Sequence, residues 1–339
     1  MRRARFLERP TRYAPGGNRR EGDAVPRPFR FGVQLQQPTP DGWIEEVRRI
    51  ETLGYSTIFW PDHFTTQWDP TTTLGAVAAV TESVNVGTLV YDVDYRHPVI
   101  HAKAAATLQL LSGGRHEFGL GAGWMRTDYE QAGLSYDRPG VRIERLDEAL
   151  QIIRSMWTRE STSFEGRHYR VREIAQASPL PPDGCPKILI GGGGPRILRL
   201  AGRHADIVGI NATMVEGRVT PETAADLAPQ RVLQKVGWVR EGAERAGRDP
   251  DAIELNALVF VVEITDDPSG IRGLLAQSTG MTAEQVAGCP IFLTGSGAEI
   301  RDRLHKQRET TGISYVVIQG GEPERVERFA EEIVAPLVG

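Results

Sequence analysis

An α/β barrel of eight parallel strands alternating with helices, a (β/α)8 TIM barrel with one insertion between strands 4 and 5, is the fold this sequence predicts. Three observations predict it. Short apolar runs alternate with longer amphipathic runs, the pattern of a parallel sheet covered by helices. Eight such short runs lie between Phe29 and Ile318. The length of 339 residues suits one closed barrel of this kind.

The strands are expected at Phe29–Leu35, Thr57–Trp60, Val84–Val90, His116–Gly121, Lys187–Ile190, Asp206–Ile210, Glu254–Val261 and Ser314–Ile318. After the first strand, Trp43, Ile44, Val47, Ile50 and Leu53 recur at helical spacing. Asp41 is placed to cap that helix and Gly54 to end it. Helices are also expected at Pro98–Leu111, Val141–Trp157, Ala298–Thr310 and Glu322–Val334. In Val141–Trp157, the residues Leu146, Ala149, Leu150, Ile153 and Trp157 form one apolar stripe. About thirty residues separate this helix from the strand at Lys187, too many for an ordinary connection. Phe164–Val171 predicts a strand or hairpin there, and Ser178–Gly184 predicts irregular coil.

Residues 29–339 are expected to form the barrel domain. Residues 1–28 differ from it: nine arginines and three acidic residues fall within the first thirty positions. With no apolar segment there, a secretory signal is not indicated. A disordered basic tail is the expectation; an over-extended start, or an arm touching an anionic partner, are the alternatives.

Over the whole chain the net charge is −4, with 40% hydrophobic and 25% charged residues. This balance argues against nucleic acid as a partner, and no run approaches a membrane span. The two cysteines, Cys185 and Cys289, have no metal-site or disulfide-framework spacing. A cytoplasmic location fits. His97 and His101 stand at i, i+4, but without a third ligand no metal is assigned.

In a parallel barrel, chemistry is built from the segments that leave the C-terminal ends of the strands. Strand 2 leads into Asp62-His63, an acceptor and an imidazole able to move a proton near neutral pH; the alternative is that His63 satisfies backbone. Strand 5 runs into Gly191-Gly-Gly-Gly194, followed by Pro195 at the start of a helix. Glycines admit a ligand close to the backbone, and a helix N-terminus offers free N–H groups, which suits a phosphate. Arg196 adds a charged fork. A bare turn is the alternative. Trp60 and Trp124 close strands 2 and 4, either flanking a flat ring system or plugging the barrel mouth.

Taken in order, Phe31–Leu35, Phe59-Trp-Pro-Asp-His-Phe64, Leu111–Arg115, Gly119-Leu-Gly-Ala-Gly-Trp124, Arg142–Leu150 and Ile190–Pro195 resemble the luciferase-like monooxygenase superfamily, and more narrowly its branch using the deazaflavin F420. The resemblance spans roughly residues 29–335. It implies a cofactor lying across the C-terminal mouth, with Asp62 at the tricyclic ring and His63 at the reacting carbon. It implies that Ala122, Gly123 and Thr127 border the cofactor, and that Gly193, Gly194, Arg196 and Ile197 hold its phosphate. It also implies a cis peptide at Leu89–Val90 behind the ring. The sequence departs from the branch's glucose-6-phosphate dehydrogenases at two positions. Trp124, here assigned to the catalytic group, stands where those enzymes carry a glutamate, and Asp92 replaces a cofactor-contacting threonine.

The resemblance implies an F420-dependent oxidoreductase exchanging hydride with a small-molecule substrate, in a homodimer. The alternatives are an FMN-dependent monooxygenase using O2, supplied by a flavin or F420 reductase, and a non-catalytic flavin-binding protein. Arg126, Arg138, Arg142, Arg196 and Arg199 are expected to form a basic rim for an anionic cofactor tail.

Overall fold

The structure, a computed structural model, describes residues 26–36, 41–177, 184–213 and 220–338. All but the last three residues of the expected basic tail lie outside the described residues, as does nearly all of the coil expected at Ser178–Gly184.

Eight parallel strands form a ring: β1 (Arg30–Gln34), β2 (Thr57–Trp60), β3 (Asn85–Thr88), β4 (His116–Gly121), β5 (Lys187–Gly192), β6 (Ile207–Ile210), β7 (Glu254–Val259) and β8 (Ile313–Gln319). They pair in the order β3-β2-β1-β8-β7-β6-β5-β4, and β3 pairs with β4 to close the barrel. Alternation along each strand sorts the side chains. Phe31, Val33, Ile58, Trp60, Phe118, Leu120, Ile188 and Ile190 face outward into the layer beneath the helices. Phe59, Leu189, Ile207, Tyr315 and Val317 fill the interior. Interior glycines make room for the large rings: a Cβ on Gly87 would come within 2.7 Å of the Phe59 ring.

The lower end of the interior is ionic. Arg30 Nη1 pairs with Glu117 Oε1 at 2.5 Å and Nη2 with Glu254 Oε2 at 2.8 Å. Tyr315 Oη donates to Glu117 Oε2 at 3.0 Å, and the Arg30 guanidinium stacks 3.7 Å from the Tyr315 ring centroid. Charges from β1, β4 and β7, with the Tyr315 hydroxyl of β8, thus plug the barrel at the end opposite the strand exits.

The long helix Pro139–Thr158 buries Leu146, Ala149, Leu150, Ile152, Ile153, Met156 and Trp157. Each such side chain of Leu or Ile size contributes about 1.5–3 kcal/mol. A hairpin of Ser161–Glu165 and Arg170–Ala175 comes next, forming the expected insertion.

Three expectations are corrected. The first helix spans Trp43–Thr52, and its N-cap position is Gly42, with φ of 95°, not Asp41; a left-handed entry favours glycine. Strand 3 is interrupted at Leu89–Val90, where the peptide bond is cis, before Tyr91–Asp92 pairs again with β4. Strand 7 ends at Val259, and Val261–Ile264 leaves the ring to pair with Phe292–Gly295. A second insertion, with helices Ser269–Thr279 and Ala283–Gly288, lies between them. Helix Ser269–Thr279 has no fully buried residue; Leu275 and Ala276 pack partly buried against the core.

Candidate active site

The strand exits gather at one end of the barrel. From the β2 exit, His63 places Nδ1 2.7 Å from Asp128 Oδ2. Asp128 lies in the helix Arg126–Ala132 beyond β4, and its side chain is buried. Tyr95 Oη donates to the same Asp128 oxygen at 3.2 Å. A carboxylate oxygen accepts, so Nδ1 of His63 carries the proton in this pair and Nε2 is the nitrogen left unengaged by Asp128. The Trp124 ring stands edge-on to the His63 ring, 5.6 Å between centroids and 89° between planes. Trp124 is 44% exposed, and its indole supplies a wall beside His63 and no carboxyl group.

Asp62, next to His63, turns its carboxylate to Arg96, with Oδ2 at 2.6 Å from Nη1 and Oδ1 at 3.1 Å from Nη2. It also accepts the Asp92 N–H at 3.2 Å. Asp62 therefore ties the β2 exit to the β3 exit. Asp92 is buried, and Tyr129 Oη lies 2.9 and 2.8 Å from its two carboxylate oxygens. Burial raises the Asp92 carboxyl to about 7, helped by the charges of Asp94 and Asp62 and opposed by the Asp94 N–H and the Tyr129 hydroxyl. This carboxyl and Tyr129 pack under Gly123, where φ is 72° and a Cβ would lie 1.9 Å from Tyr129 Oη and 2.5 Å from Asp92 Oδ2. Only glycine fits that turn. Ala122 is half-buried and Thr127 exposed on the same β4 exit.

The cis bond at Leu89–Val90 lies where the family resemblance implies one. Gln34 Nε2 donates to Leu89 O at 2.6 Å, and both side chains of the cis pair pack on the interior cluster.

At the β5 exit, the helix Pro195–His204 starts at Gly194 without a side-chain cap. Its first i→i−4 bond runs from Leu198 N to Gly194 O at 3.1 Å. The N–H groups of Arg196 and Ile197 precede that bond, and Pro195 has none. No atom lies within 4 Å of a Cβ built on Gly194, whereas one on Gly193 would come within 2.5 Å of the Ala212 carbonyl. The glycine run is thus open on one side and closed against the β6 exit on the other. The Ile197 side chain packs on Gly192, 2.5 Å from a Cβ built there.

Four of the five arginines expected to form a basic rim are engaged by neighbours. Arg196 pairs with Glu144 at 2.8 Å, Arg199 with Glu241 at 2.5 Å, and Arg126 with Glu130 at 3.8 Å. Arg142 is buried with its guanidinium 3.9 Å from the Tyr136 ring centroid. For Arg196 and Arg199 the partner is a glutamate distant in sequence, whereas Glu130 lies one turn from Arg126 on the same helix. His97 accepts the Val99 N–H at 3.3 Å and caps its helix, while His101 is buried and pushed down to about 3 by burial and Arg96. Among the described residues no cluster of three or more His, Cys, Asp or Glu is placed to hold a metal ion, and no helix is long and apolar enough to cross a membrane.

Sequence reasoning missed Asp128 and Tyr95. The one signal available was their position in the segments beyond strands 3 and 4, where many polar residues compete for notice.

The luciferase-like monooxygenase family model matches residues 25–311. The chain belongs to this family. Among curated members, it is 33% identical over 246 residues to an F420-dependent glucose-6-phosphate dehydrogenase of Nakamurella multipartita, covering 68% of this chain and 66% of that one. That match spans just under two thirds of the relative's own length. An F420-dependent glucose-6-phosphate dehydrogenase of Intrasporangium calvum is 31% identical over 298 residues, 81% of this chain and 82% of its own. An F420-dependent secondary alcohol dehydrogenase, solved with an F420–acetone adduct, superimposes with a TM-score of 0.76 over 92% of this chain and all of that one, at 19% identity. At that identity the likeness concerns the fold.

Proposed function

We propose that this chain is an F420-dependent oxidoreductase acting on a small organic substrate at the C-terminal mouth of the barrel. The observation that carries the reading is the His63–Asp128 pair, 2.7 Å apart at the exits of β2 and β4, in a family whose similar members use F420.

The residues present fit such a group. The uncapped N-terminus of helix Pro195–His204, open above Gly194, suits an anionic phosphate held by backbone N–H groups. Gly193, Gly194 and the amides of Arg196 and Ile197 would hold it; the Arg196 guanidinium joins only by leaving Glu144. Leu89 and Val90 would back the ring, with Ala122, Gly123 and Thr127 along its border. Asp62 and Asp92 act from behind: Asp62 joins two strand exits, and Asp92 supports the Gly123 turn. When bound, the deazaflavin supplies two-electron hydride chemistry.

His63 is the proton-handling group. Asp128 holds its Nδ1–H and so keeps Nε2 available to take a proton from a substrate hydroxyl or return one to a carbonyl. Trp124 gives His63 an apolar neighbour in place of the glutamate expected in sugar-phosphate dehydrogenases of the branch. Together with Phe64, which is also exposed, it favours a substrate with an apolar portion.

The homodimer and the cytoplasmic location belong to this proposal. Exposed Ile100, Leu110 and Leu111 on helix Pro98–Leu111 support a second copy, and light scattering at micromolar concentration checks it: a monomer sinks the dimer. Fluorescence titration with F420 and with FMN tests the cofactor. Tight F420 binding with weak FMN binding is expected. The reverse preference, with O2 consumption on supplying reduced FMN, would replace this reading by a monooxygenase.

A further inference from the structure

Lys235 takes no part in the proposed chemistry, yet it is wholly buried. It lies on the helix Pro229–Arg245, outside the barrel wall, with 0% of its side chain exposed. Its Nζ donates to Asn211 O at 2.7 Å and to Asp226 Oδ2 at 2.6 Å. Asp226 Oδ2 also accepts the Thr213 N–H at 2.7 Å, and Arg231 Nη2 donates to Oδ1 at 2.8 Å. Asn211 and Thr213, both leaving β6, are therefore tied to one ion pair, of which Lys235 is the wholly buried member.

The same segment is what the glycine run rests on. Asn211 N–H donates to Gly192 O at 2.9 Å. A Cβ on Gly193 would come within 2.5 Å of the Ala212 carbonyl and 2.6 Å of Thr213 N, and one on Gly191 within 2.9 Å of Asn211 Nδ2. Each glycine fits because the β6 exit is where it is. Burying a lysine is costly, and a well-packed apolar side chain would fill the same space at least as stably. In some proteins a buried ion pair is retained because it fixes one geometry.

We propose that Lys235, acting through Asp226, is a positioning residue that holds Asn211–Thr213 against Gly191–Gly193 and thereby fixes the amide cradle at Gly194 for a phosphate group. This rests on the phosphate site in the proposed function, and it predicts an effect confined to phosphate-bearing ligands. Binding alone reads it out, without turnover.

The test compares phosphate-bearing ligands with phosphate-free ones: F420 against its deazaflavin core, which lacks the phosphate and the acidic tail beyond it, and FMN against riboflavin, which differ by the phosphate alone. Dissociation constants are measured by fluorescence for the wild type and for Lys235→Met. The variant is expected to weaken the phosphate-bearing member of the preferred pair by about 10–100-fold, with the phosphate-free member changed less than about twofold. Equal weakening of both members, or no weakening of either, in a variant that melts cooperatively overturns the proposal. Should Lys235→Met not fold, Asp226→Asn keeps the side-chain shape and is judged by the same ratio. A wild type preferring FMN overturns the F420 reading alone, since the FMN-to-riboflavin ratio still decides the role of Lys235.

Discussion

His63 Nδ1 and Asp128 Oδ2 lie 2.7 Å apart across 65 residues of sequence. The two residues leave β2 and β4, which are not adjacent: β3 stands between them in the ring. The barrel's curvature, not the chain, brings them together. Asp128 is in turn anchored by Tyr95 from the β3 exit, so three successive exits converge on one carboxylate.

His63→Ala should lower kcat by about 10²–10⁴-fold while leaving F420 affinity near wild type. Asp128→Asn should lower kcat less and displace the pH–rate profile, because the imidazole loses its oriented partner. Stopped-flow kinetics on both variants checks this. Unchanged turnover in His63→Ala would remove it from the mechanism.

Gly194→Ala should melt within about 1 kcal/mol of wild type, since nothing stands where the Cβ goes, yet bind the cofactor more weakly because the Cβ occupies the mouth of the cradle. Gly193→Ala should lose stability as well, by about 1–3 kcal/mol, from overpacking against Ala212. Denaturant melts paired with titrations separate the two effects.

Asp92 makes stability depend on pH. Its carboxyl titrates near 7 when folded and near 3.9 when unfolded. Between roughly pH 4 and 7 the folded form therefore keeps a proton that the unfolded form has released, and stability falls as pH rises through that window. Asp92→Asn removes this dependence. Its melting temperature relative to wild type should climb from pH 5 to pH 8, by the equivalent of about 1–4 kcal/mol. A difference that stays flat with pH would mean that Asp92 is ionised throughout.

Glu117→Ala should destabilise the fold by about 3–5 kcal/mol, because it strips Arg30 and the Tyr315 hydroxyl of a buried partner. Urea unfolding measures it. A loss below about 1 kcal/mol would show that Glu254 alone satisfies Arg30.

The sequence by itself determined the eight strands, the strand exits and the helices at Trp43–Thr52, Pro98–Leu111, Pro139–Thr158, Gly297–Thr311 and Pro323–Phe329, but not those at Pro70–Val80 or Pro229–Arg245, because local periodicity and turn chemistry mark only the former. A short apolar run marks β2, the spacing of Phe118 and Leu120 marks β4, and the glycines before Pro195 mark a helix start wherever the chain is placed. The second insertion was not legible, because β7 flows into Val261–Ile264 without a break in apolar character. Only the tertiary structure decided the partners. Arg196 reads as a free cation until Glu144 is brought to it, Asp62 as a ring contact until Arg96 takes its carboxylate, and no sequence signal marks Lys235 at all before the helix turns it toward Asn211. Closing a barrel sets residues from distant exits within hydrogen-bonding distance, and no local pattern encodes which ones will meet.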